Sequence, residues 1–298
     1  MKKPGRMSKQ KAHDYGFVFS ILIPIMALFT IIRFYPIIST FITSFFKKSM
    51  IRPGQSFIGI ENYKYVLADP EFLKAFGNTA FIAFFSVLLS VVLGLFLAIK
   101  VNGKSIKGMS VFQTLLFLPV IVSMVPATMM WQLLFDFNVG AINYILKAVG
   151  LGAVNWINNL SIVRWPIIII SVWKEMGYNM MIFYVGLKAI NKELYESADM
   201  DGANGWQKLR YITIPQLRPV TLFVTVVSVI KFVKVFTQAI VLTSGSQSAG
   251  NILKTAVYYI YQQGFALHSM GRASAASIIL LVIVLILTWI QMQVSKER

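Results

Sequence analysis

The sequence predicts an all-α, polytopic membrane protein with six spans, on three observations. Hydrophobic residues make up 57% of the 298 and charged residues only 13%. Mean hydropathy is +0.69. The apolar residues are gathered into blocks near the ~20 residues that a helix needs to cross a bilayer. Within lipid an open-ended segment must satisfy its own backbone, so each block is expected to be helical.

Taken in order, the first span covers about 17–39. A basic segment, MKKPGRMSKQKAHDYG, precedes it. The apolar run then reaches Phe46 with only Arg33 inside it, far longer than a signal-peptide core of about 7–15 residues. An uncleaved first span is therefore expected. The second covers about 78–99 and the third about 111–135, with Pro119 and Pro126 read as packing kinks. The fourth covers about 163–187, the fifth about 220–242 and the sixth about 275–293. The layout is one domain: a tail 1–16, a membrane domain 17–293 that includes the loop 191–219, and a tail 294–298.

Lysine and arginine set the orientation. With both termini in the cytoplasm, 15 of them fall on inner segments and 9 on outer segments. The first outer loop is more basic than usual.

Composition also excludes functions. There is no cysteine, so disulfide, thiolate and cysteine-metal chemistry are absent. Two histidines, His13 and His268, lie far apart and cannot supply a metal's ligand set. The net charge of +17 lies between apolar blocks rather than on one face, which argues for topology and against nucleic acid. No catalytic constellation is found. Residues 98–105, AIKVNGKS, formally match a loose nucleotide-binding pattern, but they leave a hydrophobic helix and are not glycine-rich, so no phosphate cradle is expected.

The loop 191–219 is too structured for a connector. Asn191 can cap a helix, with Glu193 in its first turn. Gly202 stops that helix. Asn204 and Gln207 have capping-box spacing and restart a second one, which Pro215 and Pro219 are expected to end. On the predicted orientation this helix–turn–helix stands in the cytosol at the membrane surface.

Glu196-Ser197-Ala198, three residues, Gly202, nine residues, Ile212, one residue, then Ile214-Pro215 resembles the EAA loop of bacterial ABC importer permeases. Ser197 replaces an alanine of that pattern and Ile214 a leucine. Further segments resemble the sugar-type members: Tyr35-Pro36 closing the first span, Gly59 with Glu61-Asn62-Tyr63, Asn78-Thr79, Leu118-Pro119, Trp131, Gly140 with Asn143, and 270–275 before the sixth span. Residues 171–187 are similar to glycerol-phosphate and oligosaccharide permeases. Asn191 stands where the family usually has proline, and Ser244-Gly245-Ser246 where it has Gly-Gly-Pro.

The resemblance implies the MetI-like permease fold, with a cytoplasmic coupling helix around Glu196, Ser197, Ala198, Asp201 and Gly202, and with Ile212 and Pro215 completing the motif. It implies a bacterial inner-membrane subunit that is not itself an enzyme. It also implies a second, homologous permease, in a heterodimer, two cytoplasmic ATPases and an extracytoplasmic binding protein for a sugar or sugar-like solute. This chain would bind no cofactor, and the partner subunits would use ATP. The rival classes are a secondary transporter, which commonly shows internal repeats, and a membrane-embedded enzyme.

Polar residues at membrane depth are expensive and usually functional. Lys174, Glu175, Tyr178, Asn179, Lys231, Lys234 and Gln238 are candidates for a translocation path. A structural alternative stays open: Lys174 or Lys231 pairs with Glu175, or meets the second permease.

Overall fold

The computed structural model describes residues 9–103, 108–159, 161–243 and 253–296, with side chains described within 17–293 of these ranges. Ser244-Gly245-Ser246, Lys104, Lys107 and the extreme termini lie outside the described residues. The chain forms two compact units, Met1–Val66 with Gln263–Ile278, and Leu67–Gln262 with Ile279–Arg298.

In the first unit, α1 (Lys9–Phe29) leads through a π-helical turn, Thr30–Phe34, into α2 (Tyr35–Thr43). Residues Phe17–Thr43 are long and apolar enough to cross a membrane. Tyr35-Pro36 does not close this span as expected. Pro36 lacks an N–H, and its ring would clash with the preceding turn of an α-helix. The π-turn absorbs the misfit, with the Tyr35 N–H reaching back to Thr30 O, and the helix continues.

A short antiparallel hairpin follows, β1 (Phe46–Lys48) with β2 (Gln55–Phe57), and pairs Lys47 with Ser56. This small sheet was not expected. Then comes α3 (Glu61–Ala68), where two segments far apart in the chain meet. Asn62 Nδ2 donates to Ser44 O at 2.8 Å and to Phe46 O at 3.0 Å. A Cβ on Gly271 would collide with Phe46 O and sit 2.7 Å from Asn62 Nδ2, so glycine is required there. Arg272 lies 3.5 Å above the Tyr65 ring.

In the second unit, α4 (Pro70–Asn102) starts well before the predicted second span, because Asp69 caps it by accepting from Glu71 N. Its buried face is a row of small residues, Ala75, Thr79, Ala83, Ser86, Ser90, Gly94 and Ala98, which lets a neighbouring helix come close. That neighbour is α8 (Arg164–Ala189), its most extensive partner. A Cβ on Gly94 would lie 2.7 Å from Asn179 Cβ. Residues 98–102 are helical, with Ala98 and Val101 buried, while Lys104 and Ser105 of the 98–105 pattern lie outside the described residues.

The predicted third span is two helices, α5 (Met109–Ile121) and α6 (Met124–Leu134), bent by 102° at Val122-Ser123. The prolines frame a break rather than a kink. After α7 (Ala141–Ala148) and α8 come the short helices α9 (Lys192–Met200) and α10 (Gly205–Lys208), a π-turn Leu209–Thr213, α11 (Ile214–Gln216), α12 (Arg218–Val233) and α13 (Thr237–Thr243). The fifth span is thus also interrupted, at residues 234–236. Then come α14 (Ala256–Tyr261), a π-turn Gln262–Ala266 and α15 (Met270–Lys296).

Among the described residues, four helices are long and apolar enough to cross a membrane, or five if the bent pair α5–α6 is one span. The fourth predicted span, α8, has the length but not the hydropathy, because Lys174, Glu175 and Asn179 lie inside it.

Candidate functional site

Two sites emerge. The first is a cleft of about 400 Å³ lined by Ser171, Lys174, Glu175, Lys231, Lys234 and Gln238, with Val120 and Met124 from the broken third span. Five of the seven predicted path residues therefore meet. Tyr178 and Asn179 do not line it. Tyr178 lines an apolar groove with Met181 and Phe223. Asn179 is 1% exposed, and its Nδ2 lies 3.5 Å from Ser228 Oγ, between α8 and α12.

The geometry settles which lysine pairs with Glu175. Lys231, not Lys174, pairs with Glu175, at 2.5 Å, and its ammonium sits 4.1 Å above the Tyr178 ring. Lys174 turns instead to the frayed end of α5. It donates to Pro119 O at 3.0 Å, to Val120 O at 3.3 Å, and to Val122 O. A helix C-terminus carries unpaired carbonyls and partial negative charge, so an ammonium there satisfies both. At the other break, Thr255 Oγ1 donates to Val235 O at 2.7 Å. Gln238 Nε2 donates to Ser171 Oγ at 3.3 Å and ties α13 to α8. Lys234 makes no ion pair among the described residues. The cleft is left with an excess of positive charge over the neutral Glu175–Lys231 pair, and it is walled by interrupted helices.

Sequence reading missed the carbonyls of 119–122 and Thr255 as site components. A broken helix exposes backbone groups that no residue type announces.

The second site is the hairpin 191–217. Asn191 Oδ1 accepts from Glu193 N at 3.1 Å, which caps α9. Gly202 has φ +74°, and the N–H groups of Gly202 and Ala203 return to Asp199 O and Ala198 O. This is a Schellman closure, which needs a residue free to adopt left-handed φ. Asn204 and Gln207 form the full capping box, at 2.9 and 2.7 Å. Lys208 pairs with Asp199 across the turn, and Tyr195 Oη meets Thr213 Oγ1 at 2.9 Å.

Pro215 does not end the second arm. As at Pro36, a π-turn immediately before the proline carries the helix on, with the Ile214 N–H bonded to Leu209 O. Pro219 falls in the first turn of α12, where a missing N–H costs nothing. The hairpin's second arm therefore runs into the fifth span with only a slight interruption at Leu217. Glu196, Ser197, Asp201 and Gly202 are exposed, Ala198, Ile212 and Pro215 partly so. Met200 is 89% exposed, Tyr211 74% and Trp206 69%. These large side chains leave an apolar patch uncovered on a polar, well-capped hairpin.

Beyond the cleft, Asp136 closes the end of α6 by accepting from Asn138 N and Val139 N at 2.8 and 2.9 Å. Those two backbone donors hold its carboxyl below the ordinary aspartate value. Asn143 knits the segment after α7, accepting from Val154 N and Trp156 Nε1 and donating to Val154 O.

Residues 90–297 match the profile of a family described as "Binding-protein-dependent transport system inner membrane component". The chain is 37% identical over 274 residues to the arabinooligosaccharides transport system permease protein AraP of Bacillus subtilis, covering 91% of this chain and 86% of that one. It is 29% identical to the trehalose/maltose transport system permease protein MalF of Thermococcus litoralis, over 98% and 97% of the two chains. Its fold resembles a chain of a bacterial alginate ABC transporter crystallised with an alginate pentasaccharide-bound periplasmic protein. There the TM-score is 0.86 at 24% identity, over 98% of each chain.

Proposed function

Since the chain belongs to the family of binding-protein-dependent transport system inner membrane components, we infer that it is one permease subunit of an ATP-driven importer for a sugar or sugar-like solute. It forms half of the membrane pathway with a second, homologous permease in a heterodimer. It crosses the bacterial inner membrane six times with both termini in the cytoplasm. One of two cytoplasmic ATPase subunits docks on the hairpin 191–217, and an extracytoplasmic binding protein delivers the solute.

The observation that carries this reading is the continuity of the exposed hairpin with the fifth span, which ends at the cleft. A displacement imposed at Glu196–Gly202 has a stiff route, through α11 and α12, to Lys231 and Lys234. Switching between two access states requires a bistable element that a partner biases. The helix breaks at 122–123 and 234–236 supply hinges on the two sides of the cleft. The relatives are named for transport of arabinooligosaccharides and of trehalose and maltose. Their chemistry, neutral and rich in hydroxyls, suits a cleft of amide, hydroxyl and ammonium donors.

Affinity purification of this chain from its native membrane tests the proposal. It should bring down an ATPase and a second permease in comparable amounts. Recovery of the chain alone, in a detergent that preserves uptake on reconstitution, contradicts it.

A further inference from the structure

A second polar cavity lies beyond the cleft, at the far end of the same helix pair. Its volume is about 260 Å³, and Gln132, Asp136, Asn138, Asn155, Phe137 and Leu242 are among its lining residues. α6 carries Met124 to the cleft and Gln132 to this cavity; α13 carries Gln238 to the cleft and Leu242 to the cavity. At 1.5 Å per helical residue the two chambers are separated by roughly 6–12 Å along these helices. That is the scale of one or two sugar rings.

The lining has unused hydrogen-bonding capacity. Asp136 engages only Oδ1, with two backbone N–H groups, and leaves Oδ2 without a partner among the described residues. Asn155 uses only Oδ1, accepting from Asn158 N at 3.1 Å, and its amide N–H₂ is uncommitted. The side-chain amides of Gln132 and Asn138 make no hydrogen bond among the described residues. Phe137 adds a ring that is 46% exposed. A carboxylate and carboxamides can accept from and donate to ring hydroxyls, and an aromatic face can cover the C–H side of the ring. A phosphate or a carboxylate solute would be repelled by Asp136, whereas a neutral polyol ring would not.

We propose that this cavity is a carbohydrate subsite that takes one neutral sugar ring of the solute between its release from the binding protein and its arrival at the cleft. The subsite rests on the importer reading above.

The absence of native cysteine makes the test direct. Asn138→Cys is introduced, and Val139→Cys, 82% exposed and outside the cavity lining, serves as control. Each variant is assembled with its permease and ATPase partners in liposomes. Maleimide labelling is timed without binding protein, in the presence of arabinotriose, maltotriose or glycerol 3-phosphate. A neutral trisaccharide should slow labelling of Asn138→Cys about threefold or more, glycerol 3-phosphate should not, and Val139→Cys should respond to neither. Adding Gln132→Leu should raise the sugar concentration for half-protection about fivefold, the loss of roughly one hydrogen bond.

Vesicles that accumulate a trisaccharide when given binding protein and ATP, yet show no protection, overturn the subsite and leave the importer reading standing. Protection by glycerol 3-phosphate alone also overturns it. Vesicles that neither accumulate nor bind any of these sugars sink both.

Discussion

Lys174 Nζ, in the middle of α8, donates to Pro119 O at 3.0 Å, 55 residues away in the chain. With the contacts to Val120 and Val122 it caps the end of α5 where the third span turns by 102°. Lys174→Met removes the donor from three carbonyls, each costing about 1–3 kcal/mol if left unpaired in a dry environment. Spin labels at Phe112→Cys and Met130→Cys should then show a broadened distance distribution, and uptake should fall at least about tenfold. Lys174→Arg should retain a narrow distribution, since its guanidinium still donates there.

The Glu175–Lys231 pair bridges α8 and α12 beside the cleft. Lys231 is 43% exposed there, so solvent screening weakens the bond. Lys231→Met should still destabilise the protein, by about 1–2 kcal/mol, because Glu175 is left without its cation. Glu175→Gln with Lys231→Met should recover most of that loss. Thermal unfolding in detergent across the four variants measures the coupling. Additive effects would mean that the pair contributes nothing.

Gly202 sits at φ +74° with open space around it, so substitutions there are limited by backbone rather than by contact. Gly202→Asn, which tolerates left-handed φ, should keep most uptake. Gly202→Val should lose about 1–2 kcal/mol in the hairpin closure and most of the transport. Gly202→Asp tolerates the same φ and should insert normally, but its added negative charge beside Asp199 and Asp201 should abolish transport. Uptake, read against the quantity of chain in the membrane, checks the order.

Gly94 is limited by contact instead. Gly94→Leu would force apart α4 and α8 against Asn179, at a cost of about 1–3 kcal/mol. A lowered melting temperature and loss of the complex are expected, whereas Gly77→Ala on the same helix, with nothing near, should be silent.

Much of this architecture was legible in the residues. Apolar blocks gave helices at each expected span, and the caps at Asn191, Gly202, Asn204 and Gln207 form as their spacing implied, because local backbone chemistry decides them. Proline was the misleading signal. At Pro36 and Pro215 a π-turn rescues the helix, while at 122–123 and 234–236 the helix breaks without a proline at the break itself. At the breaks a distant group takes the freed carbonyls, as Lys174 and Thr255 do. Such partners lie far away in sequence. The cleft was half legible for the same reason: charge at membrane depth flagged Lys174, Glu175, Lys231 and Lys234, but not which lysine pairs with Glu175. Asn179 looked equally polar and proved to be packed beneath Gly94.

On the proposed function, the hairpin 191–217 faces the cytoplasm and receives force from an ATPase. Glu196→Cys in this cysteine-free chain, treated with a short bifunctional thiol reagent in the assembled importer, tests it most directly. The expected result is a cross-linked product between this chain and the ATPase subunit, with a yield that changes when ATP is added. Modification of the same cysteine by a membrane-impermeant reagent supplied only from the outer side, with no ATPase cross-link in transport-competent vesicles, would contradict it.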